Sequence, residues 1–421
     1  MIKRIKQFFY FPIAYYFRFW AEIQLFLWKP RIVVITGSSG KTTLLHLIES
    51  QLGDKARYSH HANSSYGIPF DILGLGRKDL TPDEWIFLFL LAPLKAFKKP
   101  YKEIIYVVEA DCDRPGEGKF LASLLKPQIT LWISSSLTHS VNFDYLVKNK
   151  CFPTAEKAIA YEFGYFLRYT QKMAIVNGDS PLIQKQIERT QVPVKTVTKK
   201  DLKDYKIHQN STEFVIEDKK YSINFIVPKD VFYSILITKL LVETLKLPFD
   251  SSFLNLTFPP GRNSVFKGVK DTVLIDSTYN STPNAVKSML ELFNLYPAKE
   301  KWVILGDMIE LGDEEKEEHE KLAEIINSMD LSKIILIGPR VSKYTYPKLN
   351  HELTERAEKF IMPKDGLDYV LKNLKGGEVM LFKGARFLEG IIERLLLNKN
   401  DINKLVRREK AWQNRRQEWG I

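Results

Sequence analysis

The stretch VVITGSSGKTTLLHLI (33–48) constrains this chain more than any other. An apolar β-type run ends in a Gly/Ser loop, and the loop opens directly into a helical pattern. Gly37 and Gly40 permit backbone angles closed to other residues, so main-chain amides can approach an anion closely. The first turn of a helix aims its unpaired N–H groups and the positive end of its dipole at that anion. A phosphate is therefore expected on Gly37, Ser38, Ser39, Gly40, Lys41, Thr42 and Thr43, with Lys41 reaching the β/γ-phosphates and the Thr42 hydroxyl available to Mg2+. The long form of the phosphate-loop pattern needs a glycine six residues before the lysine, and Ile35 stands there instead.

From residue 31 onward, β-type runs alternate with helical patterns. RIVVIT, EIIYVVEA (103–110), KPQITLWISSS (126–136) and KMAIVNGD (172–179) come first. DTVLIDS (271–277), KWVILGD (301–307), SKIILIG (332–338) and EVMLFKG (378–384) follow the turn signal TFPPGRN (257–263). Strands separated by helices point to parallel sheets covered on both faces, and Pro-Pro-Gly marks a boundary. The expectation is an α/β protein: a central phosphate-loop nucleotide-binding domain with a parallel-rich sheet over 31–258, and a C-terminal Rossmann-like α/β domain over 259–400. An aromatic helical segment (1–30) precedes them and a basic helical tail (401–421), read as solvated, follows.

The net charge of +12 suits anionic partners. No nucleic-acid-binding motif is present, so nucleic acid is not expected. Two cysteines far apart, without CxxC, fit a reducing, cytoplasmic setting. Residues 1–30 are dense in Phe, Tyr and Trp and bracketed by Lys and Arg. Three readings compete: a helix lying on a membrane surface, which would put the chain peripherally at the inner face of the cytoplasmic membrane; a helix docked on the next domain; and a spanning helix, which Pro12, Arg18, Glu22 and Gln24 disfavour. A signal peptide does not fit, because no small-residue cleavage site follows.

The shortened loop resembles that of the Mur ligases, ATP-dependent amide-forming enzymes of cell-wall synthesis, and further stretches carry the likeness. NSSYGIP (63–69) resembles the family's Asn-rich stretch before Gly-Ile/Val-Pro. VVEADCDRPGEGKFLASLLKPQITLWISSSLTHSVNFD (107–144) resembles the segment with its magnesium-binding Glu and His. GRNSVF (261–266) resembles the Gly-Arg that opens its C-terminal domain. LIDSTYNSTPNAV (274–286), ILGDMIELGDEEKEEH (304–319) and LFKGARFLEGIIERL (381–395) are similar to signatures of the MurF-type branch, which adds D-Ala-D-Ala to a UDP-linked tripeptide.

The resemblance implies a reaction and a site. ATP phosphorylates a carboxylate of a cell-wall peptide precursor, and the amine of an amino acid or dipeptide attacks the acyl phosphate. Glu109 and His139 fall on the magnesium ligands, Arg262 on a phosphate contact, and Asp276, Tyr279, Asn280 and Asn63 on the nucleotide. Asp307, Glu310, Lys383 and Arg386 fall on the amine side, and His319 on a family-like position. Two departures stand out. MurF-type enzymes carry a UDP-binding domain before the loop, which some thirty residues here leave no room for, so a lipid-linked substrate or another acyl substrate, as in γ-glutamyl polymer ligases or amidotransferase partners, stays open beside the UDP-peptide. A non-catalytic phosphate-loop scaffold is the alternative of another class. Many of these enzymes also use a carbamylated lysine as a magnesium anchor. The corresponding helix, read as 158–170, has no lysine, and Glu162 is its only acid, hence a candidate replacement ligand.

Overall fold

A computed structural model describes every residue except 1, 61 and 78–80, with residues 2–8 described by their backbone alone. The segment 1–30 therefore loses its first residue from the description. Contacts divide the chain into two units. The first comprises Met1–Ser136, Asn142–Lys199 and Tyr233–Leu256, the second Leu137–Val141, Lys200–Phe232 and Thr257–Ile421.

The first unit is built as α1 (Ile2–Trp28), β1 (Arg31–Thr36), α2 (Lys41–Leu52), β2 (Ala56–Tyr58), α3 (Gly67–Leu73), α4 (Pro82–Ala96), β3 (Ile105–Ala110), α5 (Glu117–Leu125), β4 (Ile129–Trp132), α6 (Asp144–Lys148), α7 (Ala155–Arg168), β5 (Met173–Asn177), α8 (Pro181–Gln184) and β6 (Val194–Val197). Its sheet runs β2-β3-β1-β4-β5-β6, parallel throughout. The central strands bury both faces, which is why they read as continuous apolar runs and not as alternation. Thr36 pairs with Ala110 on one side and Trp132 on the other. The carboxyl ends of β1, β3 and β4 therefore finish at one level, where open parallel sheets bind their ligands.

Helix α1 docks on this unit. Ala14, Phe17, Ala21, Gln24 and Trp28, spaced by three and four residues, are its buried stripe. The Phe17 ring lies 4.7 Å from Phe70 of α3 and 5.0 Å from Phe89 of α4. Tyr16 Oη donates to the Phe89 carbonyl at 2.7 Å, and Trp28 Nε1 to the Glu103 carbonyl at 2.7 Å. Among the described residues no helix is long and apolar enough to cross a membrane.

After β6 come an antiparallel sheet of β7 (Leu202–Ile207), β8 (Thr212–Ile216) and β9 (Lys219–Ile223), then α9 (Val231–Thr244). The second unit continues through β10 (Ser264–Lys267), β11 (Val273–Ser277), α10 (Pro283–Leu295), β12 (Lys301–Gly306), α11 (Glu315–Asn327), β13 (Lys333–Ile337), α12 (His351–Glu355), β14 (Ala357–Phe360), α13 (Pro363–Asn373), β15 (Val379–Lys383), α14 (Leu388–Leu395) and α15 (Lys410–Glu418). Its sheet runs β10-β11-β15-β12-β13-β14, parallel except for the antiparallel edge β10. The α/β expectation holds. The β7–β9 sheet, inside the stretch assigned to the central domain, clusters with the second unit. The tail is anchored at a few points, with Leu405 buried, Arg408 paired with Glu393 at 2.6 Å and buried Arg416 3.6 Å from the same carboxylate, while most of α15 is exposed.

Candidate active site

The phosphate loop, residues 37–40, links β1 to α2. Gly37 has φ +136° and lies so close to Ser134 that an added Cβ would sit 2.7 Å from its carbonyl oxygen. Gly40 (φ +80°) opens α2 in the left-handed region without side-chain capping, which leaves the helix start to a ligand. Two serines beyond β4 line the loop. Ser134 Oγ accepts from the Ser39 amide at 2.9 Å and donates to the Ser39 carbonyl at 2.7 Å, and Ser136 and Ser38 share a hydroxyl contact of 2.8 Å.

Lys41 is buried at the start of α2, where its ammonium pairs with Asp111 at 2.7 Å and donates to the Gly37 carbonyl. Burial alone would lower its pKa, but the carboxylates of Asp111 and Glu109 outweigh it and hold the ammonium above its usual range. Beside it the Thr42 hydroxyl donates to Glu109, 2.9 Å from Oε2 and 3.2 Å from Oε1. The Glu109 amide is fixed by Ser59 Oγ at 2.9 Å. Asn63 is adjacent through its backbone, its carbonyl accepting from the Asp111 amide at 2.8 Å. Thr43 is half-buried on the same turn.

Glu162 is held by main-chain amides. The helix carrying it is α7, Ala155–Arg168, which starts earlier than read and does contain a lysine, Lys157, in its first turn. Glu162 Oε1 accepts from the Gly116 amide at 2.9 Å and Oε2 from the Gly118 amide at 3.0 Å. Burial pushes its carboxyl upward while these amides pull it back. The carboxylate thus clamps the turn between Asp111 and α5. Buried Glu117, on the same turn, accepts from Ser65 Oγ at 2.7 Å, from the Asp113 amide at 3.0 Å and from Tyr10 of α1 at 2.9 Å.

In the second unit, Asp276 and Ser277 end β11, Lys383 ends β15 and Asp307 follows β12, with Ser277 and Leu305 both in register with Lys383. Asp276 is fully buried; burial raises its pKa, opposed by Thr278, whose amide and hydroxyl donate to Oδ1 at 3.0 and 2.7 Å. Lys383 Nζ donates to the Ser277 carbonyl at 3.1 Å and the Asn280 carbonyl at 2.8 Å. Burial and the nearby Arg262 charge push its pKa down to about 7. Arg262 stacks over Tyr279, 4.2 Å from the ring centroid. Buried Asp307 accepts from Arg386 Nη2 at 2.7 Å and from the Arg340 and Val341 amides at 3.0 Å each. His319 Nε2 accepts from the Met308 amide at 3.1 Å while its Nδ1 side faces the Glu315 carbonyl at 2.6 Å, so it braces the Asp307 loop as a neutral ring.

His139 groups with the second unit. It takes a left-handed backbone (φ +49°), and its Nδ1 lies 2.6 Å from Glu310 Oε2, a contact that holds the Glu310 carboxyl below its usual range. The structure thus joins Lys41, Thr42 and Glu109 in one cluster, and Asp276, Lys383, Asn280 and Arg262–Tyr279 at the strand ends of the other sheet. Asp111, Ser134, Ser136 and Glu117 were not singled out from sequence. The available signal is position, since Asp111 directly follows β3 and the two serines lie on the loop that leaves β4.

The description "Mur ligase middle domain" matches residues 35–232, and "Mur ligase, glutamate ligase domain" matches 261–386. UDP-N-acetylmuramoyl-tripeptide--D-alanyl-D-alanine ligase of Buchnera aphidicola is 24% identical over 390 residues, covering 87% of this chain and 77% of the relative. The ligase of the same name from Bacillus subtilis is 23% identical, covering 87% and 76%. The crystal structure of MurF ligase from Thermotoga maritima in complex with ADP superposes with a TM-score of 0.72 at 22% identity, over 93% of this chain and 84% of that one.

Proposed function

The chain belongs to the Mur ligase family, and from that premise we propose that it joins D-alanyl-D-alanine, or a similar amino compound, to a cell-wall peptide precursor. It is an ATP-dependent ligase that forms an amide bond. The observation that carries the ATP-dependent ligase reading is the cluster of Lys41, Asp111, Thr42 and Glu109 at the end of two parallel strands, and the likeness to the D-alanyl-D-alanine ligases supports the choice of substrate.

A carboxylate oxygen of the precursor attacks the γ-phosphorus, the bond to the β-phosphate oxygen breaks, and ADP leaves. The amine nitrogen then attacks the acyl carbon, inorganic phosphate departs with the C–O electrons, and the nitrogen loses a proton. Charge gathers on phosphate oxygens in both steps, so fixed positive groups and amides lower the barrier. In this reading the loop amides and α2 hold the phosphates, and Lys41 leaves Asp111 for the β/γ-phosphates. Arg262 serves phosphate; Asp276, Tyr279, Asn280 and Asn63 serve the nucleotide; Asp307, Glu310, Lys383 and Arg386 serve the amine.

The donors fit Mg2+. The Thr42 hydroxyl and the Glu109 carboxylate are hard oxygen ligands already within 3.2 Å of each other. His139 is the further proposed ligand, and Glu162 the last, which would have to exchange its two amides for the cation. Bound there, Mg2+ would neutralise the transferring phosphoryl group. The chain would act in the cytoplasm, with residues 1–30 at the inner face of the membrane.

The test is ADP release by purified protein with MgATP and UDP-MurNAc-tripeptide, with and without D-Ala-D-Ala. A rise only with both substrates, with a mass shift for the joined product, supports the reading. No rise, with ATP still bound, overturns the UDP-peptide and turns the search to lipid-linked or other carboxylates.

A further inference from the structure

Helix α4 has the outward face of a buried helix. Ile86, Phe87, Leu90 and Leu94, with Phe97 just past its end, fall at three- and four-residue intervals and are 61–71% exposed. The opposite positions, Leu88, Ala92 and Ala96, are fully packed. A helix on a watered surface carries polar groups outward, so this stripe calls for a second apolar surface.

Helix α1 extends it. Phe19 and Phe26 are exposed on the side away from its docked stripe. The faces are continuous, because the Trp20 ring lies 4.9 Å from Phe19 and 6.4 Å from Phe97. Lysines cluster where both helices end. Lys29 lies over the Phe26 ring at 5.5 Å and Lys98 over Tyr101 at 4.2 Å with the Lys95 charge beside it, while exposed Lys99 follows and Lys102 lines a cavity with Asp54 and Glu103. The acids of α4, Asp83 and Glu84, sit in its first turn at the other end, and Glu22 of α1 is tied to Arg18 at 2.8 Å.

We propose that α4 and α1 together form a docking face for an anionic lipid surface, with the α4 stripe entering the acyl boundary and the lysines meeting the headgroups. This deepens the membrane-side reading of residues 1–30 and moves its weight to α4. Charge complementarity selects the occupant: an apolar stripe ending in lysines matches a bilayer with anionic headgroups, where both forces act at once. The lipid face also bears on the site, since α1 reaches the Asp111–α5 turn through Tyr10 and Glu117. A ligase seated this way works beside any precursor held at the bilayer.

The test is co-sedimentation of the full chain with vesicles of phosphatidylcholine alone and with about one third phosphatidylglycerol. Binding to the anionic vesicles, at least about tenfold weaker on neutral ones and weakened by salt, is expected. Leu90→Glu with Leu94→Glu should abolish binding while circular dichroism and ATP binding stay as in the parent. Phe19→Glu with Phe26→Glu should weaken it less. If only the α1 pair matters, the reading of residues 1–30 survives and the role of α4 falls. If the parent chain ignores both vesicle types, both fall, and a concentration-dependent dimer abolished by the α4 pair would show a second copy as the occupant.

Discussion

The Thr42 hydroxyl donates to the Glu109 carboxylate at 2.9 Å, which joins the first turn of α2 to the end of β3. Two hard oxygen donors from separate elements meet there. Glu109→Gln keeps the shape and removes the charge. The expected result is a fall of about 10²–10³-fold in kcat with little change in thermal stability. Thr42→Ala should raise the magnesium concentration for half-maximal activity by about 10–100-fold. A magnesium titration of steady-state ADP release checks both. Unchanged magnesium dependence in each variant would remove this pair from the metal site.

Glu162 separates two roles by one substitution. As a clamp on Gly116 and Gly118 it holds the turn after Asp111. Glu162→Gln retains one acceptor and turns the other into a donor facing an amide. Leaving such a buried amide unmatched costs about 1–3 kcal/mol, so a lowered urea midpoint is expected, and the proposed ligand role adds a raised magnesium requirement. A lowered midpoint with parental magnesium dependence would leave Glu162 as a clamp alone.

Gly37→Ala tests the fit between the loop and β4. The new methyl would meet the Ser134 backbone at 2.7 Å, in a backbone region that L-residues avoid. Loss of measurable nucleotide affinity is expected in titration calorimetry, with the sheet intact by circular dichroism. Ser134→Ala removes the hydroxyl that bridges the Ser39 amide and carbonyl, and should weaken nucleotide binding by about tenfold or less.

The parallel strands were legible because they are buried on both faces and carry no polar residue to break the run, as in Ile32–Ile35 and Ile334–Ile337. The β7–β9 sheet was not. Its strands interleave charged residues, and its β8–β9 turn uses Glu217 and Asp218, both at positive φ, where Asn-Gly would have announced a hairpin. At the site, the loop and Glu109 were marked by residue type and spacing. The Lys41–Asp111 pair was not, because an aspartate past a strand is ordinary until the fold sets it against a buried ammonium. His139–Glu310 joins residues 171 apart in sequence, a separation that no local pattern encodes. Much of the aromatic wealth of residues 1–30 is spent on docking α1, and an exposed apolar stripe stands on α4 instead.

Lys383 gives a pH signature of the second unit. It is almost wholly buried, and burial, with Arg262 beside it, brings its pKa to about 7, against Asp276, which acts to raise it. In the unfolded chain a lysine titrates near 10.4. Between those values the folded state binds fewer protons than the unfolded one, so stability rises with pH. Below pH 7 the ammonium is charged in both states and the full burial penalty is present; above about 10.4 both states are neutral and it is gone. Lys383→Met removes the titration and keeps most of the packing. The stability of the parent relative to this variant should therefore climb by up to about 1.4 kcal/mol per pH unit between about pH 7.5 and 9.5. Urea midpoints of both proteins across that range provide the measurement. A difference that stays flat would mean the ammonium keeps its proton in the folded state, with the Ser277 and Asn280 carbonyls and the Asp276 carboxylate holding it as a buried cation.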